Sequence, residues 1–236
     1  MAKRPHLTKS KYLSGLRCVR KLWFDVHDHG PYVDAEPGSA MDIGNRVGRG
    51  AHTLFPGGVE IEAPPWEHDL AVEQTRRLME DGETPAIFEA AFEYDGIRVR
   101  VDVLERLAAD AWGLREVKSS LSVKHGSGHY DDVAVQLYVL RGCDINVPSA
   151  ELVHVNRDYV RGEGKIDWPS LLTHADLTEE AEELLQEIEG ILASQKIILD
   201  QDTAPDVYPS KGPCKKPYVC DYWDRCTADK PEDWII

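Results

Sequence analysis

Between Ala86 and Lys118 the chain abandons helical spacing for the period of two that a strand requires. Ala86–Tyr94, Ile97–Arg106 and Ala111–Lys118 read as three consecutive strands. Asp95-Gly96 separates the first two, and such a pair suits a two-residue hairpin because both turn positions need positive φ. The spacing predicts an antiparallel three-strand meander. Helical patterns flank it: 8–27, 41–54 and 67–80 before, 129–141 and 176–195 after, with a further strand at Glu151–Asn156. That order predicts an α/β fold with a central mixed sheet flanked by helices.

Thr8 or Ser10 is the expected cap of the first helix, which carries Leu13, Leu16, Leu22, Trp23 and Val26. The second helix holds Gly44, Gly48 and Gly50, and three glycines weaken a helix unless close packing or a ligand requires them. From residue 203 the chain is rich in Pro, Gly, Tyr and Cys and has no period. No repeat or linker interrupts the 236 residues, so a single domain over 1–236 is expected.

In the second strand Val99, Val101 and Val103 share one face, and Arg98, Arg100 and Asp102 the other. In the third, Trp112, Leu114, Glu116 and Lys118 share a face. A hairpin symmetric about Ala109, in Leu107–Ala111, puts Asp102 directly opposite Glu116. Facing Cβ atoms lie about 5 Å apart, and like charges there destabilise a sheet. A divalent cation between them removes that cost and gains two hard oxygen ligands. Lys118, on the same face, could orient a water or stabilise a phosphate oxygen. The plainer reading is an exposed hairpin with Glu–Lys pairs on its solvent face. His52, which ends Gly48-Arg49-Gly50-Ala51-His52, and Gln136, on the helix after the third strand, are further candidates.

The formal charge of −15 argues against a broad phosphate-binding surface. The average conceals an asymmetry: residues 1–21 carry Lys3, Arg4, Lys9, Lys11, Arg17, Arg20 and Lys21 and no acid. A local basic arm beside an acidic metal site is compatible with nucleic acid. No apolar stretch reaches the ~18–20 residues of a membrane span, and the basic opening leads into no apolar segment of a secretory signal. A cytoplasmic protein with no membrane partner is expected. In that compartment the five cysteines are expected to bind metal or serve structure rather than form disulfides.

These residues resemble the PD-(D/E)XK nuclease superfamily, and within it the RecB-type branch with an iron–sulfur cluster. That branch includes the CRISPR-adaptation exonucleases and the AddB nuclease domain. Asp102 matches the metal-binding Asp, Glu116-Val117-Lys118 the (D/E)-X-K element, and Gly48-Arg49-Gly50-Ala51-His52 the upstream motif whose His is a metal ligand. Gln136 matches the helix Gln that helps order the active site. The start, Leu7-Thr8-Lys9-Ser10-Lys11-Tyr12-Leu13 through Cys18, is also similar to this branch. Val101 stands where the signature has Pro, and Leu140 where the branch often has Tyr, leaving Tyr138 or Tyr130 as substitutes.

The resemblance implies a restriction-endonuclease-like core over 86–157. It also implies Mg²⁺- or Mn²⁺-dependent hydrolysis of DNA to a 5′-phosphate and a 3′-hydroxyl, most often from an end of single-stranded DNA. His52, Asp102, Glu116 and the Val117 carbonyl would hold the metal, with Lys118 positioning the attacking water. Protein partners in DNA repair, recombination or CRISPR adaptation are implied with it.

Cys214, Cys220 and Cys226, at intervals of five intervening residues, match the C-terminal cysteine trio of the branch, and Cys18 its N-terminal cysteine. In the family these four hold a 4Fe–4S cluster that would join 1–28 to 203–236. All-thiolate ligation suits iron–sulfur or zinc. Zinc, or cysteines left reduced or disulfide-bonded, are the alternatives, and Cys143 is the one left over. Tyr12, Trp23, Tyr130, Tyr218, Tyr222 and Trp223 could stack on bases, though most are expected in the core or around the cysteines. Two other functions stay open: a non-catalytic DNA-binding or CRISPR-adaptation adaptor whose acidic surface docks a basic protein, and an RNA-processing hydrolase.

Overall fold

The computed structural model describes residues 6–28, 36–123, 128–210, 212–216 and 218–228. Lys3 and Arg4 of the expected basic arm lie outside them. In chain order the elements are β1 (Leu7–Thr8), α1 (Lys9–Arg17), α2 (Val19–His27), α3 (Ala40–Ala51), a 3₁₀ turn (His52–Leu54), β2 (Val59–Glu60), α4 (His68–Glu80), β3 (Ala86–Tyr94), β4 (Ile97–Ala108) and β5 (Ala111–Lys118). Then follow α5 (His129–Gly142), β6 (Ser149–Val155), α6 (Trp168–Leu171), β7 (Leu172–Asp176), α7 (Thr178–Leu199) and α8 (Trp223–Thr227). The chain divides into two compact units, Met1–Pro31 with Glu189–Ile236, and Tyr32–Ile188. The sequence signals no boundary there, since the division falls inside α7.

The second unit is built on a mixed sheet in the order β2-β3-β4-β5-β6-β7. The β3–β4 and β4–β5 pairs are antiparallel, so the expected meander is present. The β5–β6 pair is parallel and the β6–β7 pair antiparallel. The β3–β4 turn is Asp95-Gly96 with φ of 46° and 72°, the two positive values that a type I′ hairpin requires. Only next to the β4–β5 turn does the pairing depart from the expected symmetry about Ala109, where Ala108 pairs with Ala111 across a two-residue connection. A register shift between Arg106 and Ala108 then restores Arg106 to Trp112 and Val103 to Arg115. From Arg106 to Val103, toward the site, the pairing has the expected symmetry about Ala109.

Helices cover both faces of the sheet. Along α5, Val133, Ala134, Val135, Leu137, Val139 and Leu140 are all buried, as expected of a helix apolar on most of its circumference; it packs across β3, β4, β5 and β6. From α3, Val47 and Ala51 join Val153 of β6 and Leu172 of β7, with Val117 and Trp168 against them. Gly50 permits that packing, because a Cβ there would stand 2.3 Å from the Trp168 ring. Gly44 and Gly48 face open space, so close packing explains one of the three glycines and not the other two.

In the first unit the expected helix over 8–27 is two helices. Cys18 ends α1 and starts α2 in extended conformation, φ −166° and ψ 122°. Thr8 is the cap of α1, its side chain accepting from the Lys11 amide. Gln195 of α7 donates to the Tyr12 carbonyl at 3.0 Å, filling the space beside Gly15. The short β7 was not legible: five residues carry too few alternations to stand out from a loop.

Candidate active site

The β4–β5 ladder runs as far as Val103 opposite Arg115. One step further in the same register Asp102 stands opposite Glu116. There a side chain replaces the backbone ladder, the Val117 amide donating to Asp102 Oδ2 at 2.7 Å. The pairing of β4 with β3 is interrupted at the same level, since Phe88 pairs with Val103 and Ala90 with Val101 but Glu89 between them takes a left-handed φ of 57°. A left-handed glutamate costs on the order of 1 kcal/mol or more, and such strain concentrates at functional sites. Burial lowers the pKa of Arg100, two residues before Asp102, and the charge of Glu89 opposes that shift.

Glu116 is 1% exposed and Gln136 fully buried. A buried carboxylate is stable only when paired and hydrogen-bonded, and Glu116 is both. Lys118 Nζ donates to its Oε1 at 2.6 Å and Gln136 Nε2 to its Oε2 at 2.8 Å. The Lys118 ammonium also donates to Asp132 Oδ2. Gln136 Nε2 reaches the Asp132 carbonyl at 2.9 Å and Oδ1 at 3.2 Å. Glu116, Lys118, Asp132 and Gln136 thus form a closed ring of hydrogen bonds between β5 and α5.

The sequence reading named neither Asp132 nor Glu89, although both had a signal. Asp132 lies four residues before Gln136, hence on the same helix face. The Asp95-Gly96 turn fixes Glu89 opposite Asp102. His129, at the start of α5, is a third omission and had none. Its pKa is held below the usual histidine value, first by burial and then by the nearby Lys118 charge, with Asp132 and Glu116 opposing. His129 Nδ1 and Gln136 Oε1 are buried with no partner among the described residues.

His52 stands apart from this ring of hydrogen bonds. Its imidazole lies parallel to the Phe88 ring, centroids 3.7 Å apart and planes 3° apart. Burial lowers its pKa, with the Glu60 charge opposing. Phe88 pairs with Val103, the neighbour of Asp102 in β4.

Among the described residues no set of three or more His, Cys, Asp or Glu is arranged to hold a metal ion. Mg²⁺ does not require one, because it commonly takes one or two carboxylates and completes its octahedron with water and substrate phosphate. Asp102, Glu116 and Asp132 with Lys118 carry a formal charge of −2, which one divalent cation neutralises. Carboxylate oxygens of this kind are the donors that Mg²⁺ and Mn²⁺ prefer.

Within the first unit Cys226 is within electrostatic reach of Cys18, Cys214 and Cys220. Burial raises the pKa of the Cys226 thiol, and Cys220, Cys18 and Cys214 raise it further while Arg20 opposes them. None of the five cysteines is in a disulfide. Arg17, next to Cys18, holds the segment bearing Cys214. Its Nε donates to the Pro213 carbonyl at 2.7 Å and its Nη2 to the Tyr218 carbonyl at 2.6 Å. The Cys220 amide donates to the Cys214 carbonyl at 2.8 Å. Buried Arg17 Nη1 and Arg20 Nε have no partner among the described residues.

No family model matches the chain, and no curated protein matches it. Among solved structures, an alkaline exonuclease (LHK-Exo) from Laribacter hongkongensis is 12% identical with a TM-score of 0.40, over 84% of this chain and 92% of that one. The same enzyme in complex with dAMP is 11% identical with a TM-score of 0.38, over 83% and 90%. The protein SSO0001 is 13% identical with a TM-score of 0.35, over 82% and 71%. With TM-scores below 0.5, these likenesses leave the chemistry to be read from the residues themselves.

Proposed function

We propose that this chain is a metal-dependent nuclease that hydrolyses DNA phosphodiesters, acting from an end of single-stranded DNA. The observation that carries the reading is the Asp102 carboxylate on the Val117 amide at 2.7 Å, beside Glu116 with the Lys118 ammonium 2.6 Å from it. Asp102, Glu116 and the Val117 carbonyl would hold Mg²⁺ or Mn²⁺, with His52 as a further ligand. A divalent ion supplies two things, a more acidic bound water and neutralised phosphate charge. Gln136 fixes the rotamer of Glu116, so that the carboxylate is preorganised. Lys118 orients the attacking water or stabilises an equatorial phosphate oxygen, and departure of the 3′-oxygen leaves a 5′-phosphate on the product. Cys18, Cys214, Cys220 and Cys226 would hold a 4Fe–4S cluster of structural role, with zinc as the alternative.

The test is cleavage of end-labelled single-stranded DNA with Mn²⁺. Lys118→Ala is expected to slow cutting by about 10²-fold or more, the loss typical of one preorganised charge-stabilising donor. A variant that cuts as fast as the parent sinks the proposal. The net charge of −15 favours a second reading, an adaptor that docks a basic protein. Tight DNA or protein binding without metal-dependent cleavage would select it.

A further inference from the structure

We propose that Asp132 is a positioning residue of this site: it retains the Lys118 ammonium when Glu116 turns its oxygen to a divalent cation. The inference rests on the nuclease reading above and adds a residue that the (D/E)-X-K pattern does not contain. Its basis is the hydrogen-bond ring between β5 and α5. Lys118 Nζ lies against both Glu116 Oε1 and Asp132 Oδ2. The two carboxylates are almost fully buried, with side chains 2% and 4% exposed. Gln136 Nε2 ties them together from the other side.

The geometry sets a conflict. The same Glu116 oxygen that would serve a cation already accepts from Lys118. Cation and ammonium repel each other at that oxygen, so the ammonium must move off it without leaving the site. Asp132 supplies the second acceptor, from α5. The carboxylate also neutralises Lys118 while Glu116 is occupied. Without the Asp132 charge, more of the ammonium's attraction falls on Glu116, where it competes directly with the cation. An asparagine keeps the shape and the bond to Gln136 but loses that competition.

The experiment is a Mn²⁺ titration of the full chain, reading bound Mn²⁺ by electron paramagnetic resonance and cleavage of labelled single-stranded DNA in parallel. Asp132→Asn is expected to raise the half-saturating Mn²⁺ about tenfold in both readouts, the lower end of what residues orienting a metal ligand typically contribute. Asp132→Glu is expected to restore most of it. A purely structural role would reduce the amount of active protein at every Mn²⁺ concentration and leave the half-saturation point in place. An unshifted half-saturation point in Asp132→Asn overturns the inference, and if Lys118→Ala is inactive in the same series the nuclease reading survives it. If the parent binds Mn²⁺ but cuts no DNA, the nuclease reading fails, while a shifted titration in Asp132→Asn still supports the role of Asp132 at a cation site. A parent that binds no Mn²⁺ overturns both.

Discussion

Glu151 and Cys143 show how single environments in the second unit translate into measurable chemistry. The Glu151 carboxyl is held below the ordinary glutamate range, first by its hydrogen bond to His174 Nδ1 at 2.8 Å and also by the Arg115 charge, with burial opposing. A depressed folded-state pKa contributes stability that is fully present above the unfolded value and lost as pH falls through the folded one. Between about pH 5 and pH 3 the melting temperature of Glu151→Gln is therefore expected to fall less than that of the parent. A parallel fall would mean the His174 contact adds nothing. Burial pushes the Cys143 thiol up, against the weaker effect of the Glu93 carbonyl it meets at 3.4 Å. A raised pKa means less thiolate, so Cys143 is expected to alkylate more slowly at neutral pH than a free cysteine. Timed iodoacetamide labelling with peptide mass spectrometry measures this directly.

At the scale of elements, α3 separates what glycine does from what it was expected to do. Gly50→Ala would drive a Cβ into the Trp168 ring and is expected to destabilise by about 1–3 kcal/mol, as overpacking does. Gly44→Ala and Gly48→Ala meet nothing within 4 Å and are expected to stabilise by up to about 1 kcal/mol through helix propensity. Thermal melts of the three variants distinguish the cases, and loss of DNA cleavage in a stabilised Gly44 or Gly48 variant would indicate that substrate approaches that face. The hairpins show the limits of local reading. Asp95-Gly96 announced its turn because both residues tolerate positive φ. The second turn did not, because the register shift between Arg106 and Ala108 carries no turn residue to mark it. The register of the two strands was legible all the same, since symmetry about Ala109 holds from Arg106–Trp112 to Val103–Arg115.

For the whole molecule, the first unit gathers both ends of the sequence, with Cys18 in one segment and Cys214, Cys220 and Cys226 in the other. A bound cluster would cross-link segments nearly the full chain apart, where loop closure is costly. Anaerobically purified protein is expected to be brown, with broad visible absorption. Cys226→Ser is expected to lose that absorption and become protease-sensitive within Met1–Pro31 and Glu189–Ile236. A colourless parent that contains zinc would replace the iron–sulfur assignment. Among the described residues no helix is long and apolar enough to cross a membrane.

The sequence by itself determined the α/β class, the meander, the Asp95-Gly96 turn and the candidates Asp102, Glu116 and Lys118. Each of these rests on periodicity or turn chemistry, which act over a few neighbouring residues. Only the tertiary structure decided that α5 closes over Glu116, that Asp132 shares the Lys118 ammonium, and that Glu89 takes a left-handed conformation opposite Asp102. It also broke the first helix at Cys18 and stacked His52 on Phe88. Those outcomes depend on which surfaces meet when distant segments pack, and burial sets the energy of a charge only after that meeting has occurred.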